Sequence, residues 1–459
     1  MIRNSCIFFI LAAFSLLLAG CTSPTPTPQP AVIQPPDLLA SGGRTLQAQQ
    51  FLDLMVQEDF TAAFEQFDPQ MKAALPENKL QDTWAKLLSQ VGPFELVISA
   101  KTETVDGYER ITLTSQFQNA ALDVRVVYGE TGEVSGLFFA PAAASAVPWE
   151  APAYARQEAF EDVEVIIGSG EWALPGTLSL PEGDGPFPAI VLVHGSGPND
   201  RDETVGPNKP FRDLAWGLAS QGIAVLRYDK RTLVHADKLE SSLDHLTVQA
   251  ETVEDALLGV ALLRDTEKVD RERIFVLGHS LGGMMVPRIG AGDAEITGFI
   301  ILAGGTRPLE DVILEQMTYI ASLDSPPDEA EQEQLDQVLD QVERIKDPGL
   351  STDTPAGDLL GVPASYWLDL RGYDPPEQAR LLERPTLVLQ GERDYQVTEV
   401  DFDRWQQALG GKAWAEFKRY PRLNHLFIAG EGQITPAEYQ LPGNVAEEVV
   451  TDIAAWINR

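Results

Sequence analysis

Cysteine is nearly missing from this sequence. Cys6 and Cys21 are the two examples among 459 residues, and both fall in the first 21 positions. A disulfide framework, a thiolate zinc site and a cysteine nucleophile are therefore excluded from the body of the chain. Histidine is scarce as well: the five, His194, His235, His245, His279 and His425, are scattered, and none has the paired spacing of a zinc-binding helix. Nothing asks for a metal or any other cofactor. Basic charge is the third shortage, with 34 Lys and Arg against 69 Asp and Glu and a formal net charge of −35. So acidic a surface repels nucleic acid and anionic headgroups. The densest basic cluster, Arg227-Tyr228-Asp229-Lys230-Arg231, carries its own acid, so nucleic acid is disfavoured as a partner. The longest apolar run near the N-terminus, residues 7–18, is too short to span a bilayer. What remains, 44% hydrophobic with 37 Gly and 32 Pro, is ordinary globular composition able to bury a large core. Oligomeric state is left open.

The N-terminus reads as a targeting segment. Arg3 gives a positive start, residues 7–18 are apolar, and Leu18-Ala19-Gly20-Cys21 places small residues directly before a cysteine. This pattern resembles the bacterial lipoprotein box, which implies a signal peptide over 1–20 and diacylglycerol on the thiol of Cys21. A plain secretory signal that happens to contain a cysteine is the rival reading. Next comes Thr22-Ser23-Pro24-Thr25-Pro26-Thr27-Pro28-Gln29-Pro30, continued to Pro35-Pro36. Alternating proline fixes φ and removes donors, so residues 21–44 are expected as an extended tether. A PxxP ligand for another protein is the alternative. About 16 extended residues at ~3.1 Å each span roughly 50 Å. The expectation is an exported protein held by its lipid on the extracytoplasmic face of the envelope membrane.

Residues 45–140 have the pattern of a small α+β domain. Helical spacing of Phe51, Leu54 and Met55, then of Phe60, Ala63 and Phe64, predicts two short helices, and a second pair is predicted over 71–75 and 80–88. Alternating segments over 94–104, 108–116, 122–128 and 134–139, with turn signals at Asp106-Gly107 and Glu130-Thr131-Gly132, predict an antiparallel sheet. Helices followed by a meander resemble the nuclear-transport-factor-like superfamily, and in particular a bacterial domain of unknown function found ahead of hydrolases. The resemblance implies a small-molecule binder or a spacer. An Ala- and Pro-rich linker is expected over 141–159. From 160 to 459 strands alternate with helices, the signature of an α/β domain with a largely parallel sheet. Strands are predicted over 163–167, 174–180, 189–193, 224–227, 274–277, 298–302, 386–389 and 415–420, and a core-facing helix over 248–263.

Chemistry gathers at Gly278-His279-Ser280-Leu281-Gly282, between the apolar strand Ile274-Phe275-Val276-Leu277 and the helix-forming run Gly283-Met284-Met285-Val286. A G-x-S-x-G string arises by chance about 0.15 times in a chain of this length. Its position carries the argument, because a strand-to-helix turn is where a nucleophile elbow sits. A glycine-rich turn without chemistry is the bland alternative. Earlier, His194-Gly195-Ser196-Gly197 ends the strand Ile190-Val191-Leu192-Val193. An oxyanion hole next to such an elbow takes one backbone N–H from the residue after the nucleophile and one from an earlier loop. Leu281 and Ser196 fit those positions. Asp394 follows a strand ending in Gln390-Gly391, with Glu392 as its competitor, and His425 is the only histidine after it. His279 is read as packing.

Together H-G-S-G-P at 194–198, G-H-S-L-G-G at 278–283, G-E-R-D-Y-Q-V at 391–397 and L-N-H at 423–425 resemble the α/β-hydrolase superfamily, specifically bacterial esterases, over residues 160–459. The resemblance implies an α/β-hydrolase fold, with a mostly parallel eight-stranded sheet and a helical cap, and a Ser280–His425–Asp394 triad. His425 would take the proton of Ser280, Asp394 would orient the imidazole, and the amides of Ser196 and Leu281 would hold the oxyanion. A cap insert is expected at about 306–380. Within it, a helix over 328–346 carries Leu335, Val338, Leu339, Val342 and Ile345 on one stripe. Tyr366 and Trp367 are candidate substrate-binding residues, with cap core as the equal alternative. The charges of the loop 198–202 either contact substrate or pair with each other. The expected function is a carboxylesterase acting on short or medium acyl esters as small-molecule substrates. A peptidase or aminopeptidase on the same triad, and an envelope binding lipoprotein with a vestigial triad, are the alternatives.

Overall fold

Asp59 and Asp68 each accept a hydrogen bond from a first-turn amide, of Ala62 and of Met71, and so start two short helices where the sequence places Asp before an apolar run. They belong to a group of four: α1 Gly43–Val56, α2 Phe60–Glu65, α3 Pro69–Ala74 and α4 Glu77–Val91. Four strands follow, β1 Phe94–Val105, β2 Tyr108–Phe117, β3 Ala121–Tyr128 and β4 Val134–Pro141, paired antiparallel in sequence order. Alternation on β2 and β3 turns Ile111, Leu113, Val124 and Val126 inward onto Phe51, Leu52 and Trp84.

The chain is described by a computed structural model over residues 43–459, except 106–107, 118–120, 130–131, 142–148, 241–244, 324–325 and 328. The lipoprotein box, Cys21 and the tether to residue 42 lie outside the described residues, as do the whole turn signal Asp106-Gly107, Glu130-Thr131 of the second turn signal, and part of the linker. The tether expectation ends early, since α1 begins at Gly43. No helix among the described residues is long and apolar enough to cross a membrane.

The larger sheet contains β5 Phe160–Ile167, β6 Leu174–Pro181, β7 Phe187–Val193, β8 Ala224–Tyr228, β9 Val269–His279, β10 Gly298–Leu302, β11 Thr386–Gly391 and β12 Ala415–Tyr420, in the spatial order β12-β11-β10-β9-β7-β8-β6-β5. Neighbours from β12 to β8 are parallel, while β6 runs antiparallel to β8 and β5 to β6. Along β7, Ile190 and Leu192 face a core closed by α5 Pro210–Ala219 and, near the C-terminus, the helix Glu447–Ile457. Val191 and Val193 face the opposite core. After the short helix α6 Arg231–Val234, that core is covered by further helices in chain order: α7 Ala236–Glu240, α8 Glu254–Asp265, α9 Leu281–Gly292, the cap helices α10 Leu309–Ala321, α11 Glu329–Lys346, α12 Ala364–Leu370 and α13 Pro375–Leu382, and α14 Glu399–Leu409; Glu447–Ile457 is α15.

Three expectations need correction. Residues 149–159 are packed rather than linking: Trp149 Nε1 donates to Asp213 (2.9 Å) and Tyr154 Oη to the Val445 carbonyl (2.7 Å). Leu339 is 42% exposed, so the buried stripe of α11 narrows to Val338, Val342 and Ile345. The helix expected from 248 begins as a π-helical turn over Gln249–Val253, where the wider turn admits Glu251 to the interior.

Candidate active site

Ser280 joins β9 to α9 at φ +55° and ψ −117°, a strained conformation for a residue with a side chain. Its N–H donates to the carbonyl of Leu302 on β10 (3.0 Å), which holds the turn tightly. Glycine is required on both sides: a Cβ at Gly282 would overlap the carbonyl of Val193, and one at Gly278 the carbonyl of Gly282. The Leu281 amide, in the first turn of α9, has no acceptor within the helix and is free to face a ligand.

Loops from the carboxyl ends of the neighbouring parallel strands converge on this turn, as ligand-handling loops do in open α/β sheets. Asp394, beyond β11, accepts His425 Nδ1 on Oδ2 at 2.6 Å, while its Oδ1 accepts the amides of Gln396 (2.8 Å) and Val397 (3.0 Å). Gln390 Nε2 donates to Oδ2 as well (3.2 Å). Both residues are buried, whereas the competitor Glu392 is exposed. Because a carboxylate accepts and does not donate, His425 Nδ1 carries the proton and Nε2 is left as the basic nitrogen. Asn424 holds the loop by accepting the amides of Leu426 (3.0 Å) and Ile428 (3.1 Å).

The loop after β7 lies against the serine. A Cβ built on Gly195 would stand 3.1 Å from Ser280 Cβ, so Ser196 follows directly beside the elbow. His194 is buried between Phe211 and Tyr228, with ring centroids 5.0 Å from each, and burial pushes it down to about 4, so it is neutral at pH 7. The charges expected to pair within the loop 198–202 instead reach outward: Arg201 binds Asp229 (2.8 Å) and Glu164 (2.7 Å), and Asp202 binds Lys209 (2.9 Å) and Arg227.

His279 is not simply packing. Its Nδ1 lies 2.9 Å from Glu203 Oε2, an ion pair whose N–H is poorly aligned for a hydrogen bond, and its Nε2 lies 2.9 Å from the His425 carbonyl. Burial opposes charge on both partners, but their mutual attraction outweighs it, raising His279 and lowering Glu203. Glu203 Oε1 also accepts the Gly195 amide at 2.6 Å. Sequence reasoning missed this carboxylate. It stands one place beyond the loop read as charged, and in Asp200-Arg201-Asp202-Glu203 no local signal marks which acid turns inward.

Tyr366 and Trp367 are both buried in the core under the cap. The Tyr366 hydroxyl donates to Glu251 (2.8 Å), which makes it a structural residue and not a pocket wall. Trp367 donates to the Leu359 carbonyl (3.0 Å) but keeps one side on a cavity of about 210 Å³, shared with Met284, Leu309, Ile345, Leu370 and Tyr373. Among the described residues, no three His, Cys, Asp or Glu side chains come together to hold a metal ion.

A mostly parallel sheet whose central strand ends in a strained serine turn, with an Asp and a His supplied from the ends of strands two and three places away, is the architecture of the α/β hydrolases. The chain belongs to that family: residues 190–433 match the family model described as the alpha/beta hydrolase family. Residues 48–137 match a separate model described as a protein of unknown function (DUF3887). Over 407 residues the chain is 39% identical to Esterase EstD of Thermotoga maritima, covering 89% of this chain and 93% of that protein. Solved structures are more distant. A Pyrococcus furiosus esterase is 17% identical over 65% of this chain and 91% of that one (TM-score 0.41), and a Pyrococcus horikoshii acylaminoacyl peptidase 15% identical over 78% and 55% (TM-score 0.43). Likenesses that loose carry no argument about activity.

Proposed function

We propose that Ser280 is the nucleophile, His425 the base and Asp394 the acid of a carboxylesterase, and that the amides of Ser196 and Leu281 form its oxyanion hole. The chain is a carboxylesterase-type serine hydrolase, in keeping with its relation to Esterase EstD. The residue assignment rests chiefly on the buried 2.6 Å Asp394–His425 contact. In this reading His425 Nε2 takes the Ser280 proton as Oγ attacks the acyl carbonyl. The oxyanion is met by the two amides, and the proton passes to the departing alcohol. Water then repeats the sequence on the acyl-enzyme, and Asp394 stabilises the imidazolium at each step without itself being protonated.

Short and medium acyl esters are the proposed substrates. Met284 is one turn beyond Ser280 on α9, about 6 Å along the axis at 1.5 Å per residue. The cavity it lines with Trp367 carries Glu310, Lys346 and Arg371 on one part of its wall, and the proposal places an acyl chain of limited length against its apolar part, Met284, Leu309, Ile345 and Leu370. The pattern before Cys21 supports export and lipid anchoring to the envelope membrane. Incorporation of labelled palmitate that disappears in Cys21→Ala tests the anchor. The likeness of residues 45–140 to nuclear-transport-factor-like domains remains part of this proposal, with a spacer role beside the anchor.

The deciding experiment compares p-nitrophenyl esters of rising chain length with aminoacyl and peptidyl anilides, using the chain from residue 22 beside Ser280→Ala. Ester turnover that vanishes in Ser280→Ala, with anilides untouched, is expected. Efficient anilide cleavage would overturn the ester reading in favour of a peptidase.

A further inference from the structure

Gly195 is gripped from both sides by buried charge. Its N–H donates to Glu203, and its carbonyl accepts from the ammonium of Lys230 at 2.8 Å. Lys230, between β8 and α6, is 1% exposed. An ammonium so placed has lost its water and persists only where other groups replace it. Its nearest anion is Glu251, whose Oε1 is 3.4 Å away, farther than the neutral carbonyl. A lysine retained for the ion pair alone would sit closer to the carboxylate than to the peptide. Glu251 is shared: it accepts Thr232 Oγ1 (3.0 Å) and the hydroxyl of Tyr366 (2.8 Å) on cap helix α12. Asn199 Nδ2 is a neutral second donor to the Gly195 carbonyl (3.2 Å) and also binds that of Ser196 (3.0 Å).

The peptide that Lys230 touches is the one whose N–H belongs to Ser196. In a trans peptide the carbonyl and the N–H point in opposite directions along one conjugated unit. A cation on the oxygen therefore withdraws electrons from the nitrogen and fixes the direction of its hydrogen, away from Lys230. We infer that Lys230 is a positioning residue of the oxyanion hole: its charge polarises the Gly195–Ser196 peptide, strengthening the Ser196 N–H as a donor to the oxyanion, while Glu251 ties the same lysine to Tyr366 in the cap. This rests on the assignment of Ser196 and Ser280 made above. The ester carbonyl is neutral before attack and anionic after it, so the effect belongs to the transition state and not to substrate binding.

The test uses the full chain and two variants. Lys230→Met removes the charge; Lys230→Met with Glu251→Gln also removes the carboxylate that would be left buried without its cation. Three quantities are read for each: kcat and KM with p-nitrophenyl acetate, and the inhibition constant of an alkyl trifluoromethyl ketone, which adds to a serine as an anionic tetrahedral adduct. In the double variant kcat is expected to fall ten- to hundredfold with KM within about twofold, and affinity for the ketone to fall by the same factor as kcat. A folded double variant that keeps kcat and ketone affinity within twofold overturns the inference, and so does a loss confined to KM. A double variant that does not fold also overturns it, because the lysine then serves the fold and not the reaction. Ser280→Ala run alongside separates the two levels. Turnover surviving there refutes the triad; turnover lost there but unaffected by the Lys230 variants refutes only the role of Lys230.

Discussion

The two sheets of this chain bury different kinds of side chain. Around the four-stranded sheet the interior is Phe51, Leu52, Met55, Trp84, Ile111, Leu113 and their apolar neighbours; among the described residues there, the buried polar groups are Thr45, Ser115 and Asp123. Around the eight-stranded sheet Asp202, Glu203, Arg227, Lys230, Glu251, Asp255, His279, Asp394, Asp401 and His425 are all buried. Buried ion pairs are poor stabilisers, since desolvation often cancels the attraction. In the small unit Asp123 pairs with the partly exposed Arg125 (3.2 Å), and the rest of the interior closes on hydrophobic burial. The buried charges of the larger unit that lie nearest Ser280 hold geometry: Glu203 and Lys230 fix Gly195, and Asp394 fixes His425.

If that contrast is right, the sharpest way to break it is at the serine. Ser280→Ala is expected to lower kcat for p-nitrophenyl acetate by about 10⁶, as removal of a triad nucleophile does elsewhere. Turnover persisting above a thousandth of the parent's would place the chemistry outside this cluster.

Asp394→Asn comes next, at about 10⁴ in kcat. Asp394 Oδ1 accepts two backbone amides, from Gln396 and Val397. An asparagine must keep its oxygen there, which turns its NH₂ toward His425 Nδ1. That forces the imidazole proton onto Nε2, where the base is needed. The rate and its pH profile are the readout; a loss below tenfold would mean that the carboxylate only holds the loop.

In the other unit Trp84→Ala is expected to cost about 3–5 kcal/mol of local stability through the cavity it leaves. Trp84 is fully buried, with Phe117 and Phe139 at ring-centroid distances of 6.0 and 5.9 Å. Ester turnover at 25 °C should stay within twofold. A melting curve and the assay on one preparation check both, and turnover that falls together with the small unit's transition would end the separation of the two units.

The same contrast explains what was legible in the sequence. Ser280 and its glycines stood out because a strand, a turn and a helix are consecutive, and their steric demands are local. The strands of both sheets showed as short apolar or alternating runs, and Asp394 and His425 followed from chain order. Glu203, Lys230 and Glu251 did not show. Glu203 and Lys230 reach Gly195 because β7 lies between β9 and β8, so segments 194–203, 229–231 and 279–281 become neighbours in space while remaining distant in the chain, and Glu251 reaches Lys230 from the π-helical turn before α8. Tyr366 was left between two readings for the same reason: whether an aromatic residue of the cap faces a cavity or Glu251 is decided by packing between segments 115 residues apart.

The smallest effect expected is one of pH, and it sharpens the comparison because all five histidines lie at position 194 or beyond. His279 is raised above its ordinary 6.5: burial works against its charge, and the carboxylate of Glu203 overcomes burial. The stability it contributes is fully present below 6.5 and is lost as pH rises through its raised value. Glu203 is lowered from 4.5, so its contribution is present above 4.5 and is lost as pH falls through its lowered value. Asp213 has the sign of the histidine, since burial pushes it up to about 7, so its loss begins near 3.8 and, with the carboxyl about half ionised at pH 7, is still running there. Above pH 7 the decline is therefore shared between Asp213 and the pair, and the pair's part is the one that a change at Glu203 removes. The melting transition of the larger unit should fall with rising pH there, while that of the small unit stays level. In Glu203→Gln an amide oxygen still receives the Gly195 N–H, but the charge that held the proton on His279 is gone, and the decline above pH 7 should become shallower, leaving the part that Asp213 carries. Scanning calorimetry of both proteins across this range is the measurement, and an unchanged slope in Glu203→Gln would mean that the pair does not hold its charge in the folded protein.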